Sequence, residues 1–155
     1  MDPSICYSFC FPSLCRATSL LRLFCFFILS IFISSSVVFA ATIFVPDDYD
    51  TIQEAINASS PGDTVSVAAV TYNGNILFPG NKKNITLISE NGAASTVIYG
   101  DHTGSVVTFA TGINATLDGF TITNGLTSQN GGGIRIGSFS SPIIDNCIIT
   151  DNEAF

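Results

Sequence analysis

The sequence predicts an all-β parallel β-helix, a solenoid of short stacked strands, with one short helix near its N-terminal end. Two observations support this fold class. Residues 131–152 (GGGIRIGSFSSPIIDNCIITDN) align without a gap on residues 104–125 (GSVVTFATGINATLDGFTITNG), so the chain repeats with a period of 27. TVSVAA (64–69) and several short strand-like segments from residue 84 onward are separated by Gly, Asn, Asp, Ser or Pro, and no second helical pattern occurs.

The alignment assigns each repeat position to the inside or the outside of the solenoid. Stacked coils pair equivalent strands at ~4.8 Å, so apolar residues at equivalent positions build one continuous core. The predicted inward positions are Val107, Phe109, Leu117, Phe120 and Ile122, followed one repeat later by Ile134, Ile136, Ile144, Cys147 and Ile149. The predicted outward positions are Thr108, Thr121, Thr123, Arg135, Ile148 and Thr150. Asn124 and Asp151 recur at one turn position, where Asn and Asp tolerate left-handed backbone.

A strand and a short helix are predicted ahead of the repeats. TIFV (42–45) is a strand ended by Pro46, and DTIQEAINAS (50–59) is a helix. The apolar residues Ile52, Ala55 and Ile56 fall on one helical face.

Two pairs fit a capping box at the start of this helix: Asp50 with Gln53, or Thr51 with Glu54. The acidic stretch DDYD (47–50) also has the composition of a metal site. We favour the capping interpretation, because negative charge is stabilising where a helix begins.

Residues 1–40 are predicted to be a signal peptide that directs the chain to the extracellular space or the cell surface. An apolar run (23–33) follows Arg16 and Arg22 and ends in small residues, which is the layout of a cleavable leader. The alternative is an uncleaved membrane anchor over residues 23–41, which is just long enough to span a bilayer. After cleavage the protein would have no membrane contact.

The remaining chain divides into an N-terminal strand and capping helix (41–63) and the β-helix repeats (64–155). DNEAF (151–155) resembles the lead into another coil, so we expect a truncated repeat array. An open apolar end is an aggregation hazard, and the alternative is therefore a small β-helix that associates end to end.

Charge and cysteine content exclude several classes of protein. The whole chain has a net charge of −7. From Ala41 onward there are three basic and eleven acidic residues, a net charge of −8, which disfavours nucleic-acid binding. Four cysteines lie in the leader, leaving Cys147, so no internal disulfide is expected. Cys147 occupies the repeat position of Phe120 and is interpreted as a small buried apolar residue.

Several segments resemble the N-terminal part of secreted right-handed parallel β-helix proteins, the pectate-lyase-like superfold. They are VPDDYDTIQEAINASSPGDTVSVAAVTYNGN (45–75) and, farther on, ITNG, NGGGIRI and SPIIDNCIITDNEA. NosD-like proteins and polymorphic outer-membrane proteins share this style of repeat. The resemblance implies that the TIQ-A segment caps the first coil. Val70 departs from the family pattern, which usually has Gly before TY.

Enzymes with this fold act on acidic polysaccharides, using Arg or Lys as a base beside Ca²⁺ or using paired carboxylates. Arg135 is the best single catalytic candidate, because its neighbours point inward and it points out. Asp118 and Asp145 lie one coil apart, and stacking would bring their carboxylates near one Ca²⁺. The alternatives are a solvated Arg and turn-forming Asp residues. No motif specifies a reaction, and no cofactor other than this Ca²⁺ is expected.

Three Asn residues fit the N-glycosylation pattern, Asn57, Asn84 and Asn114, although an Asn- and Thr-rich β-helix produces such triplets by chance. For function, two hypotheses stay open. One is a non-catalytic surface protein that binds polysaccharide or cell-surface glycan, or that mediates adhesion. The other is the N-terminal piece of a polysaccharide lyase or glycoside hydrolase.

Overall fold

The computed structural model describes residues 39–81 and 84–155. The predicted leader lies outside these residues except for its last two positions, so the choice between signal peptide and anchor stays a prediction. No helix in the described part of the chain is both long enough and apolar enough to cross a membrane.

The described chain consists of short strands and one helix. The first elements are β1 (Thr42–Val45), α1 (Ile52–Ala58), β2 (Thr64–Val67), β3 (Thr71–Asn73), β4 (Ile76–Phe78), β5 (Thr86–Ser89), β6 (Val97–Tyr99) and β7 (Val107–Phe109). They are followed by β8 (Thr116–Asp118), β9 (Thr121–Thr123), β10 (Leu126–Thr127), β11 (Ile134–Ile136), β12 (Ile143–Asp145), β13 (Ile148–Ile149) and β14 (Glu153–Ala154).

All strand pairs between successive coils are parallel, and they form three sheets along the solenoid axis. Sheet A has the order β1-β2-β5-β8-β12, sheet B has β3-β6-β9-β13, and sheet C has β4-β7-β11. A two-stranded ladder joins β10 to β14. The chain therefore winds as a parallel β-helix, and the predicted fold class is confirmed.

Strand register confirms the predicted repeat. Asp118 pairs with Asp145, Ile122 with Ile149, and Phe109 with Ile136, each 27 residues apart. Earlier coils have other lengths: Thr64 pairs with Thr86, and Thr86 with Thr116. Register is thus preserved although the corners between strands vary in length, because each strand must keep the same face toward the core.

The core is a column of apolar side chains inside the coils. Phe78 and Phe109 stack at its centre, with ring centroids 4.6 Å apart and planes inclined by 20°. The predicted inward residues of the first repeat are all fully buried: Val107, Phe109, Leu117, Phe120 and Ile122.

The second repeat is less buried than the sequence predicts. Ile134, Ile144 and Cys147 are partly buried and pack against the core. Ile136 and Ile149, also predicted to be inward, are 50% and 53% exposed. The physical reason is that β11 and β13 are the last strands of their sheets in the described chain, so no further coil covers these residues.

Helix α1 closes the other end of the core through Ile52, Ala55 and Ile56, which are buried. Thr51 is the N-cap residue, and its hydroxyl oxygen accepts a hydrogen bond from the Glu54 backbone N–H at 3.2 Å. The hydroxyl also donates to the Glu54 carboxylate at 2.8 Å. Of the two capping pairs, the structure therefore contains Thr51 with Glu54.

Gln53 performs a second structural task at this end. Its side-chain Oε1 accepts from the Leu77 backbone N–H at 2.7 Å, and its Nε2 donates to the Leu77 carbonyl at 3.0 Å. The side-chain amide thus satisfies the outer edge of β4 as a neighbouring strand would. An edge satisfied in this way is unavailable for pairing with another chain.

Candidate functional site

A groove of about 560 Å³ lies over the outer face of sheet C. Thr108 and Arg135 are register partners on neighbouring strands and line its floor. One wall is formed by residues 102–105, and the other by residues 126–129 together with Phe155.

Strand alternation explains why Thr108 and Arg135 reach this groove. In β7, Val107 and Phe109 are buried, so the residue between them points away from the core. Arg135 has the equivalent place in β11 and is exposed. The prediction that Arg135 lies on an outer strand face is confirmed.

The walls arise from one corner of the solenoid, which lengthens from coil to coil. The connection between sheets B and C has two residues (74–75) in the first coil, seven (100–106) in the second, and ten (124–133, including β10) in the third. The longer second and third corners rise beside sheet C and enclose the groove. Loops of this kind commonly carry binding residues on a rigid scaffold.

A hydrogen-bonded cluster holds the first wall. The Asp101 Oδ1 atom accepts from the Thr103 backbone N–H at 3.0 Å, from the Thr103 hydroxyl at 2.5 Å, and from Asn75 Nδ2 at 2.8 Å. These bonds favour the carboxylate, and the Thr103 hydroxyl is the largest contributor lowering the pKa of Asp101 below its ordinary value. The Asn75 bond ties this loop to the coil below.

This cluster makes the wall sensitive to acid. A carboxyl whose folded-state pKa is lowered stabilises its surroundings above its unfolded pKa and loses that contribution as pH falls through the folded value. We therefore expect the amide resonance of Thr103 to titrate with a midpoint below 3.8, the ordinary value for Asp. An NMR titration measures it, with Asp101→Asn as the control that removes the transition. A midpoint at or above 3.8 would contradict the assignment.

The second wall begins at the predicted turn position. Asn124 and Asp151 both have left-handed backbone, with φ of 65° and 52°, and occupy equivalent places in adjacent coils. The Asn124 N–H donates to the Asp151 carbonyl at 3.1 Å, and the Asn124 side chain donates to the Gly100 carbonyl at 2.5 Å. These bonds fix where the long third corner leaves the stack.

The predicted Ca²⁺ pair lies elsewhere. Asp118 and Asp145 are adjacent in register, as expected, but on sheet A rather than beside Arg135 on sheet C. The Asn146 amide donates to Asp118 Oδ1 at 2.9 Å, and the Asn146 N–H donates to Asp145 Oδ1 at 2.9 Å. Within residues 39–81 and 84–155, no three His, Cys, Asp or Glu side chains are grouped to hold a metal ion. Ca²⁺ binding by this pair stays a prediction.

Cys147 sits between β12 and β13, half-buried against the core. Desolvation by burial raises the pKa of its thiol, and the thiol donates to the Leu117 carbonyl at 3.7 Å. A thiol held in its neutral form is a poor nucleophile. This environment agrees with the interpretation of Cys147 as a packing residue.

The three glycosylation candidates are all exposed. Asn57 accepts from the Gln53 amide at 3.1 Å, and Asn114 accepts from the Ser141 N–H at 3.3 Å. Because Thr86 pairs with Thr116, Asn84 and Asn114 occupy equivalent corners of adjacent coils. Their modification stays a prediction.

His102 is the groove residue that the sequence did not single out as functional. It belongs to the turn-like stretch GDHTG (100–104), has a left-handed φ of 61°, and lines the same groove as Arg135. The turn composition was the available signal, but no spacing relates residue 102 to residue 135. Only the coil geometry brings the imidazole and the guanidinium to one groove.

Comparison with known proteins supports the fold. A carrot pectin methylesterase matches with a TM-score of 0.52 and 22% sequence identity, over 74% of this chain and 40% of that one. The chain has the pectate-lyase-like right-handed β-helix fold. No protein-family model matches the sequence, and no curated protein matches it.

The β-helix match concerns architecture. At 22% identity it shows the fold alone, and the chain spans less than half the length of the carrot enzyme. The predicted right-handed parallel β-helix and its resemblance to the pectate-lyase-like superfold are confirmed. The activity of that enzyme is not transferred by a match of this kind, because one fold hosts many functions.

Proposed function

We propose that this β-helix protein binds polysaccharide in the groove over sheet C, without a catalytic role for the described residues. The groove lining supports the proposal most directly. It combines the hydroxyls of Ser105, Thr108 and Thr127 with the Gln129 amide and the two basic side chains, His102 and Arg135.

Such a lining suits sugars chemically. Hydroxyl and amide groups both donate and accept hydrogen bonds, which matches the hydroxyl groups of a saccharide. A guanidinium can hold a carboxylate through two parallel hydrogen bonds. We therefore propose an acidic glycan as the ligand, with Arg135 contacting a sugar carboxylate.

The same lining favours binding over glycan cleavage. Glycoside hydrolysis generally uses two carboxyl groups flanking the scissile bond, and no Asp or Glu is among the described residues that line the groove. The alternative, a polysaccharide lyase or hydrolase, is retained as an outcome of the test below. For delivery to such a glycan, we propose secretion through the leader at 1–40, or display on the cell surface.

Replacing Arg135 tests the proposal. Arg135→Ala is expected to weaken binding of an oligogalacturonate by roughly 10- to 100-fold, because a charged hydrogen bond contributes about 1.5–3 kcal/mol. Isothermal titration calorimetry measures the affinity. Arg135→Lys should fall between wild type and Arg135→Ala, since it keeps the charge but loses the paired hydrogen bonds.

Thr150→Ala is the matched control, because Thr150 is exposed and lies away from the groove. Equal affinities of wild type and Arg135→Ala would exclude the groove as the binding site. Release of unsaturated oligosaccharides, seen by ultraviolet absorbance, would instead establish a lyase.

A further inference from the structure

At the N-terminal end of the solenoid, the outer edges of the three sheets differ in how their backbone groups are hydrogen-bonded. Sheet A ends in β1, which pairs along the full length of β2. Sheet C ends in β4, whose edge is satisfied by the Gln53 amide. Sheet B ends in β3, and no strand or side-chain amide in the described chain pairs with its outer edge.

The backbone of β3 shows which groups are left over. The Gly74 N–H donates to Tyr99 at 2.9 Å, and the Val70 carbonyl accepts from Val97 at 3.1 Å, so these residues face β6. Successive residues of a strand direct their N–H and C=O groups to opposite edges. The N–H and C=O groups of Thr71 and Asn73 therefore point to the free edge.

A gap of about 290 Å³ lies along this edge, between β3 and residues 50–53. The buried residues Ile52 and Ile76 are among the residues that line it. Neighbouring Tyr72 is held in place, because its hydroxyl donates to the Ala68 carbonyl at 3.1 Å. The outer edge of β3 is thus held in place beside a gap that an added strand could occupy.

The charge around the gap indicates what would fill it. Asp50 lines the gap, Asp47 and Asp48 precede Asp50 in sequence, and Glu54 directly follows the last lining residue of α1. No Lys or Arg is among the described residues that line it. Complementary charge speeds association and gives specificity, so the acidic residues around this gap favour a basic partner.

We propose that an extended, basic peptide segment of a partner protein adds as a strand to β3 and fills this gap. Its backbone pairs with Thr71 and Asn73, and its alternate Lys or Arg side chains lie near the acidic segment before α1. Main-chain hydrogen bonds give such binding its affinity, and side chains give it its specificity. The proposal does not depend on the groove over sheet C.

The test uses the full chain with a fluorescein-labelled peptide, Lys-Thr-Lys-Val-Lys-Thr-Lys, and measures fluorescence anisotropy. Two matched peptides serve as controls: one with every Lys replaced by Glu, and one N-methylated at alternate residues so that it cannot pair through its backbone. The protein variants are Asn73→Pro, which removes the edge N–H, and Asn73→Ala, which keeps it. Circular dichroism checks that each variant is folded.

We expect the basic peptide to bind, and both control peptides to bind roughly tenfold more weakly or worse. Asn73→Pro should show the same loss, while Asn73→Ala stays within about twofold of wild type. Absence of binding, equal binding of the N-methylated peptide, or equal affinities of the two variants would overturn the proposal.

Two further results are informative. A dimer in sedimentation without peptide that Asn73→Pro abolishes would overturn the proposal by assigning the edge to a second copy of the chain. If Asn73→Pro does not fold, the N-methylated peptide decides alone, because it removes the same hydrogen bonds from the ligand side.

Discussion

Phe109→Ala is expected to destabilise the protein by about 3–5 kcal/mol, the usual cost of truncating a buried aromatic residue. Phe109 is fully buried and stacks on Phe78, and it pairs in register with Phe78 below and Ile136 above. In a solenoid each coil contacts only its neighbours. A cavity in the second coil therefore weakens its contacts with both the first and the third.

Urea unfolding monitored by circular dichroism measures the change in the free energy of unfolding. Phe109→Leu should lower the free energy of unfolding less than Phe109→Ala does, because leucine retains more of the buried volume. Phe139→Ala is the exposed control, since Phe139 is 93% exposed, and we expect a change within about 0.5 kcal/mol. A loss below about 1 kcal/mol for Phe109→Ala would contradict the placement of Phe109 at the centre of the core.

Gly125→Ala is expected to lower the free energy of unfolding by about 3 kcal/mol or more, the upper end of the usual cost of overpacking. A Cβ at Gly125 would lie well inside contact distance of the Gly132 carbonyl oxygen and 2.7 Å from Val106 Cγ2. The nearest atom belongs to backbone, so a side-chain rotation cannot relieve the clash. The third corner, which forms one wall of the groove, would have to move.

Gly104→Ala is the matched control for Gly125→Ala. The nearest atom to a Cβ there is Asn75 Nδ2 at 3.9 Å, an ordinary contact. Thermal unfolding should therefore separate the two variants clearly, with Gly104→Ala close to wild type. Similar melting temperatures for both would show that the Gly132 carbonyl does not approach Gly125 as closely as the structure has it.

The later coils were predictable because their strands alternate regularly and repeat at one spacing. Val107, Phe109 and Leu117 were assigned to the core from that pattern alone, and all are fully buried. The helix with its Thr51 cap was also visible, since local hydrogen bonding and an apolar stripe determine it.

The first coil was harder to predict. Strands β3 and β4 were not assigned, because three-residue strands with Asn and Gly between them carry too little alternation. The role of Gln53 at the β4 edge was also missed. It depends on Leu77, 24 residues away in sequence, and no local pattern encodes that contact.

The candidate site was the least predictable part. Arg135 was placed on an outer face by its neighbours, but the pairing of Asp118 and Asp145 gave no hint that they belong to another sheet from Arg135. Assignment to a face requires only alternation, whereas assignment to a sheet requires the lengths of all the corners between. The groove could therefore be identified only from the three-dimensional structure, because its residues come from corners whose lengths the repeat pattern does not give.

The growth of one corner, from two to seven to ten residues, has an implication for engineering. Added length at this corner leaves the neighbouring register intact, and it accumulates on the rim of the groove. Foreign loops grafted into the exposed residues 128–130 should therefore change ligand preference while the stacked coils keep their stability. This corner tolerates insertions, so its sequence can vary while the sequence of the stacked strands must stay constant.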